Sequence, residues 1–155
     1  MHSLLLRALA LAPSTDPSKL PFLLHAAIET VAALSFILRP QSQLPNPSLA
    51  PRLILQSLGG LLLSTNLICL IFAARPEFDG TSRLVAASLA FWHVWPCCRA
   101  YVRLTRPELE GEGWQGKEKR SAEGDTTERT LGGPAVHLGV HLLLLLMFVS
   151  AAVIE

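Results

Sequence analysis

Glu29 is the only carboxylate inside a long apolar stretch of this sequence, so its chemistry is the first to consider. It lies at the centre of Leu20–Leu38 (LPFLLHAAIETVAALSFIL), one helical turn after His25. Carboxyl and imidazole groups both transfer protons, and burial can tune both toward activity near neutral pH. Glu29 paired with His25 or His93 could therefore act as an acid–base catalyst on a lipidic substrate. The sequence carries no nucleophile motif or glycine-rich phosphate loop that would name a reaction.

Three other polar side chains, Asn66, His93 and His141, lie close to the centres of further apolar stretches. At a rise of about 1.5 Å per residue, all four groups fall within roughly 5 Å of one common depth. We expect Glu29, Asn66, His93 and His141 to face one another as a polar cluster. Such a cluster can hold helices in register, at about 1 kcal/mol per hydrogen bond. It can also orient the polar end of a hydrophobic small ligand in an otherwise apolar cavity.

The spacing of some histidines also allows metal binding. His137 and His141 are four residues apart, so both imidazoles can address one ion from one helix face, and His25 with Glu29 repeats that spacing. His25 and His137, however, would lie roughly 15 Å apart along the helix direction. A single site with four ligands is therefore not expected. His137 and His141 are the metal candidates, and the sequence predicts no metal or other cofactor.

Four apolar stretches must position these side chains. Each is typical of a helix that crosses the hydrocarbon core of a bilayer, which is about 30 Å thick. They cover residues 20–38, 53–74, 84–102 and 134–154. The third has the shortest uncharged core and can cross if Arg83 and Arg99 extend toward the headgroups; a re-entrant or interfacial helix is the alternative. The predicted fold is all-α, an integral membrane four-helix bundle formed by residues 20–155.

The segments outside these helices are short or polar. Residues 1–19 contain LLLRALALA, which is too short to span a membrane, and we predict a short interfacial helix there. A cleaved signal peptide is the alternative, although Pro13 and an arginine within the apolar run argue against cleavage. Residues 104–133 combine low hydrophobicity with many charges of both signs, which predicts a disordered loop. In the turn before the third helix, Thr81 or Ser82 is the expected N-cap.

The distribution of basic residues predicts how the helices are oriented. With four spans, the side that carries loop 104–133 holds nine lysines and arginines, and the side that carries both termini holds four. The positive-inside rule places the loop in the cytoplasm and the termini in a lumen or outside, as in the endoplasmic reticulum or a similar endomembrane. Cys97 and Cys98 would then lie at the cytoplasmic end of the third helix, a setting for S-palmitoylation; two buried small side chains are the alternative.

Composition limits the partners. Half of the 155 residues are hydrophobic and 16% are charged, compared with about a quarter in soluble domains, so membrane lipids are the expected surroundings. The net charge of +1 and the lack of a nucleic-acid motif exclude a nucleic-acid partner. Gly59, Gly60 and Ser64 would allow close approach of a neighbouring helix, or self- or hetero-association with a second chain.

These observations favour a small multi-pass membrane protein that acts as a scaffold or as a binding protein for a lipid or another small ligand. A membrane-embedded enzyme using Glu29 and histidine, or a histidine-ligated metal or haem site, is the alternative function.

Overall fold

The computed structural model describes residues 16–44, 48–106 and 133–154. Within these ranges the chain is all helical and contains no β-strand, as the sequence predicts. The four long helices are α1 (Leu20–Leu38), α2 (Leu49–Ala74), α3 (Gly80–Thr105) and α4 (Gly133–Val153). Short 3-10 helices, Pro17–Lys19 and Pro40–Ser42, lie on either side of α1. Most of the N-terminal segment and of the charged loop, and with them the predicted interfacial helix and the predicted disorder, lie outside the described residues.

Prolines lie at or near the ends of the first two helices and inside the third. Helix α1 has the predicted bounds, with Pro21 in its first turn and Pro40 directly after its C-cap. Helix α2 starts at Leu49, four residues before the predicted start. Pro51 is tolerated there because the first four N–H groups of a helix have no intrahelical partner. Helix α3 is longer than predicted at both ends and continues through Pro96.

The N-cap of α3 is Asp79, not Thr81 or Ser82 as the sequence predicted. The Asp79 carboxylate accepts hydrogen bonds from the backbone N–H and from the hydroxyl of Ser82, both at 2.9 Å. These two bonds, together with the charge of Arg75, lower the pKa of Asp79 below its ordinary value. Ser82 therefore acts as a donor to the cap, which explains why it is buried at the start of the helix.

The long helices pack as two antiparallel pairs. Helix α1 lies along α2, helix α3 lies along α4, and the pairs meet mainly where α1 contacts α4. Gly59 shows how closely the first pair approaches, since a Cβ at this position would lie 2.9 Å from the carbonyl oxygen of Ala33 and 2.7 Å from Cγ1 of Ile37. Gly60, one residue later, has open space around it. Gly59 therefore packs inside the chain, whereas Gly60 and Ser64 lie on its outer surface.

One end of the molecule is filled by aromatic rings. Phe22 of α1 is fully buried, and its ring centroid lies 6.2 Å from that of Phe72, 6.1 Å from that of Phe78 and 5.3 Å from that of Phe148. We call these four rings the aromatic end. Beside them the buried Lys19 ammonium donates to the carbonyl oxygens of Arg75 and Pro76, the two residues that directly follow α2. The start of α1 is thereby tied to the connection between α2 and α3.

Large apolar side chains cover much of the outer surface, among them Val31, Ile54, Leu70, Leu146 and Val153. In the part of the chain that the structure describes, three helical segments are long and apolar enough to cross a membrane: Pro17–Leu38, Leu49–Ala74 and Gly133–Val153. Helix α3 is long enough to cross a membrane, but its mean hydropathy is too low. Its polar residues include Arg83, Arg99 and Arg103. By length and composition, three candidate membrane helices thus remain where the sequence predicted four.

Candidate functional site

Three histidines from three helices contact one another in a row inside the protein, and we call them the histidine chain. Nδ1 of His25 on α1 lies 3.0 Å from Nε2 of His93 on α3, and Nδ1 of His93 lies 2.9 Å from Nδ1 of His141 on α4. All three side chains are buried. Phe148 of the aromatic end packs against His25 and against His93, with ring centroids 5.8 Å and 5.7 Å away. The rings are thus held in place by packing as well as by hydrogen bonds.

Thr65 on α2 sets the direction of the hydrogen bonds in the histidine chain. Its hydroxyl donates to the carbonyl oxygen of Leu62 at 2.8 Å, so toward His25 it can only accept. Nε2 of His25, 3.4 Å away, therefore carries the N–H, and Nδ1 of the same ring is an acceptor. His93 must then donate from Nε2 to His25 and accept at Nδ1 from His141. One N–H per ring satisfies all three contacts, and all four helices take part.

Glu29 lies at the other end of the histidine chain. Its side chain is buried, and its Oε1 is 3.6 Å from Nδ1 of His141, which is too long for a hydrogen bond. Among the described residues Oε1 of Glu29 has no hydrogen-bond partner, and the same holds for the buried Nε1 of Trp92. An unsatisfied buried polar atom typically costs about 1–3 kcal/mol, so two of them near each other require an explanation.

Both of these atoms belong to residues that line one cavity of about 550 Å³, a volume typical of small-molecule sites. The cavity lies between the two helix pairs, away from the aromatic end, and receives side chains from all four helices. Its wall is mainly apolar, with Ile28 and Leu62 on one side and Trp95 and Val140 on the other. Five residues with polar groups interrupt this wall: Glu29, Trp92, Arg99, His137 and His141.

Arg99 supplies a charged group to the cavity wall, where it contacts His137. Nη2 of Arg99 lies 3.0 Å from Nε2 of His137, and since arginine only donates, this histidine nitrogen accepts. The ring of His137 packs against that of His141, with centroids 4.3 Å apart. The cavity therefore has a cationic guanidinium on its wall, in addition to the carboxyl group of Glu29.

The structure places Asn66 apart from the other predicted cluster residues. Its amide lies 2.9 Å from the hydroxyl of Thr30 on α1. With the amide turned so that all groups are satisfied, it donates to the carbonyl oxygen of Leu62 at 3.2 Å and accepts from the backbone N–H of Thr30. Asn66 thus links α2 to α1, while Glu29, His93 and His141 come together with His25.

The remaining predicted residues lie in different settings. The metal candidates His137 and His141 are neighbours in the cavity wall. Nε2 of His137 accepts a hydrogen bond from Arg99. Cys97 is half-buried and Cys98 is exposed, and neither forms a disulfide. Trp92 and Arg99 were not predicted as site residues. The signal for them was their spacing with Trp95 and Pro96, which places four residues of α3 along one side of the cavity.

No protein-family model, curated protein or solved structure matches this chain.

Proposed function

We propose that this chain is an integral membrane protein with four spanning helices, and that it binds an apolar small molecule with a polar end in the cavity between its two helix pairs. Three helices meet the length and hydropathy of membrane spans. The exposed leucine, isoleucine and valine side chains on their outer surfaces suit contact with lipid.

Helix α3 is the fourth span in this proposal. Its 26 residues correspond to about 39 Å, which exceeds the hydrocarbon thickness. Arg83 lies near its first turn, and Arg99 and Arg103 lie near its last turns, so all three can extend toward the headgroups. Its packing against α4 along most of its length also favours insertion as part of an assembled protein.

The observation that carries the proposed binding function is the pair of unsatisfied atoms in the cavity wall. Nε1 of Trp92 can only donate a hydrogen bond, whereas Oε1 of Glu29 accepts one when the carboxyl group is ionised. A ligand that ends in a hydroxyl group, or in neighbouring hydroxyl and carbonyl groups, offers both an acceptor and a donor. The apolar wall would hold the hydrocarbon part of such a ligand, as in other small-molecule sites.

A matched pair of ligands tests this proposal. We expect hexadecanol to raise the thermal unfolding midpoint of the detergent-purified protein more than hexadecane does, because only the alcohol can pair with the polar wall. The variant Trp92→Phe keeps the ring but removes the N–H, and it should abolish the difference between the two ligands. Trp95→Phe is the control, since Trp95 also lines the cavity. Equal shifts for both ligands in the wild-type protein, or no shift with either, would refute the proposed site.

An acid–base enzyme is the second candidate, favoured by one observation: Glu29 and His141 face the same cavity, with their nearest atoms 3.6 Å apart. Glu29→Gln separates this function from binding, because an amide keeps the size and hydrogen-bonding capacity of the side chain but cannot transfer a proton. If a lipid that copurifies with the wild-type protein is chemically altered and the same lipid accumulates unaltered on Glu29→Gln, the enzyme is supported. Identical lipids on both proteins would leave binding alone.

A further inference from the structure

We propose that His25, Glu29 and His93 form a binding site for a divalent transition-metal ion, with Zn²⁺ as the ion that these ligands suit best. One ligand atom from each of the three residues lies within 4.8 Å of the other two, and all three side chains are buried. This site lies on the histidine side of Glu29 and shares only that residue with the ligand cavity, so it goes beyond the proposed function.

The distance between the two histidines is close to that found around a metal ion. Nδ1 of His25 and Nε2 of His93 are 3.0 Å apart. In a tetrahedral zinc site with Zn–N bonds of about 2.0–2.1 Å, two nitrogen ligands are separated by roughly 3.3 Å. The rings would therefore need to part by only a few tenths of an ångström and to turn so that both lone pairs meet at the ion rather than at each other. Glu29 follows His25 by one helical turn on α1, so its carboxylate can approach the same ion from the same helix face.

The outer nitrogens of both rings already have partners within hydrogen-bond distance, as those of metal-ligating histidines usually do. Such histidines nearly always donate their second N–H to a fixed partner, which orients the ring. Nε2 of His25 donates to Thr65 on α2, and Nδ1 of His93 contacts Nδ1 of His141 on α4. The two ligand rings thus have their supporting partners on two further helices.

A shift of protons within two rings would free both ligand nitrogens for the ion. Without metal, His93 donates from Nε2 to His25 and accepts at Nδ1 from His141. With metal, the proton of His93 moves to Nδ1, and that of His141 moves to Nε2. Each ring then still has one N–H, and the lone pairs of His25 Nδ1 and His93 Nε2 both point at the ion.

The charge of Glu29 and the types of the three ligands favour binding of a divalent ion at this site. A buried carboxylate without a partner is costly, and a divalent cation next to Glu29 compensates its charge. Two imidazoles and one carboxylate are a set that binds Zn²⁺ or Fe²⁺ and leaves coordination positions open for water or another ligand. A carboxylate has two oxygens, so Glu29 can bind an ion and still present an acceptor to the cavity.

Metal binding by the purified full-length chain tests the proposal. The affinity tag is removed, bound metal is extracted with a chelator, and Zn²⁺ or Co²⁺ is added alone. We expect one equivalent of tightly bound metal by mass spectrometry, and visible absorption bands of tetrahedral or five-coordinate Co²⁺. His25→Gln and His93→Gln should each lose the bound metal and these bands. His137→Gln is the control, because His137 contacts Arg99 and lies outside the three ligands.

A fourth variant covers the case in which the ligand substitutions unfold the protein. Thr65→Val keeps all three ligands and removes the hydroxyl to which His25 Nε2 donates, so metal affinity should fall about 10- to 100-fold. Less than one equivalent of metal on the wild-type protein, or wild-type affinity in Thr65→Val and in folded His93→Gln, would overturn the proposal. The comparison of hexadecanol with hexadecane, repeated on chelator-treated protein, tests ligand binding independently of metal.

Discussion

Glu29 and Asn66 are both polar, both buried and both central in their helices, yet their surroundings differ. Asn66 has partners on α1 and on its own helix, whereas Oε1 of Glu29 lacks one among the described residues. A group that only holds helices together should have its hydrogen bonds satisfied. The contrast fits the proposed binding function, in which Asn66 stabilises the packing of α2 on α1 and Glu29 keeps an acceptor free for the ligand.

Apolar substitution of these two residues should give opposite results. Glu29→Leu removes an unpaired polar group, so we expect stability to be unchanged or higher by about 1 kcal/mol. Asn66→Leu leaves Thr30 and the Leu62 carbonyl without their partner and should cost about 1–3 kcal/mol. Thermal unfolding of both variants in the same detergent, without added metal or lipid, measures this. A loss for Glu29→Leu as large as for Asn66→Leu would show that Glu29 is a structural contact.

The sequence could predict depth but not the direction in which each side chain points. Counting residues along each stretch placed Glu29, Asn66, His93 and His141 at one level, and the structure brings three of them together. Asn66 points to Thr30 instead, because its direction depends on the rotation of α2 about its own axis. The part of the site made by Trp92 and Arg99 depends on the gap between two helix pairs. That gap is set by side-chain packing, which the periodicity of one helix does not describe.

Among the helices, the contact between α1 and α2 is the one most sensitive to size. Gly59→Ala places a methyl group 2.9 Å from a backbone oxygen of α1, which cannot move without shifting the helix. We expect a loss of about 1–3 kcal/mol. Gly60→Ala meets open space and should gain up to about 1 kcal/mol from the higher helix propensity of alanine. Denaturation curves of the two variants measure the difference, and equal stability would contradict the packing of α1 on α2.

The N-terminus of α3 gives a prediction about pH. Because the pKa of Asp79 is lowered in the folded protein, its contribution is complete above the ordinary aspartate pKa of about 3.9 and is lost as pH falls through the folded value. Asp79→Ala should therefore lower the unfolding midpoint at neutral pH, and the difference from wild type should shrink in acid. Thr81→Ala, in the first turn of the same helix, is the control, because threonine carries no charge that changes with pH. A difference that persists at low pH would contradict the cap.

The bounds of α1 were predictable because prolines mark both of its ends, whereas α2 and α3 each start four residues earlier than predicted. Pro21 and Pro40 lie at the two ends of α1, and its predicted bounds match. At the start of α3, Asp79, Thr81 and Ser82 could all cap a helix, and the choice depends on which backbone turn the chain adopts. The structure selects Asp79 because its carboxylate reaches both donors of Ser82.

At the scale of the whole molecule, the two ends have different character. The aromatic end is filled by packed rings, while the other end carries the cavity and the cluster of arginines at the end of α3. The positive-inside rule predicts that the arginine-bearing end faces the cytoplasm. Exposed Cys98 reports on this end, and buried Cys69 lies toward the aromatic end.

Cysteine labelling tests this orientation. In sealed microsomes, whose outer face is the cytoplasmic one, we expect a membrane-impermeant maleimide to label Cys98 before detergent is added. The variant with Cys97 and Cys98 both changed to serine is the control and should remain unlabelled. Hydroxylamine treatment before labelling releases any palmitoyl group on these cysteines. Labelling of Cys98 only after the membrane is opened would show the opposite orientation.

The division into two helix pairs has a consequence for how the protein is made. Each pair consists of helices that follow one another in the chain, so α1 and α2 can associate while α3 and α4 are still being synthesised. The contacts of His25 with His93 and of Lys19 with the Arg75 carbonyl both join distant parts of the sequence. His141 belongs to α4, so the histidine chain is completed only after α4 has been made. We expect a nascent chain that ends before α4 to leave Glu29 and His93 without the cover that His141 and Phe148 of α4 provide.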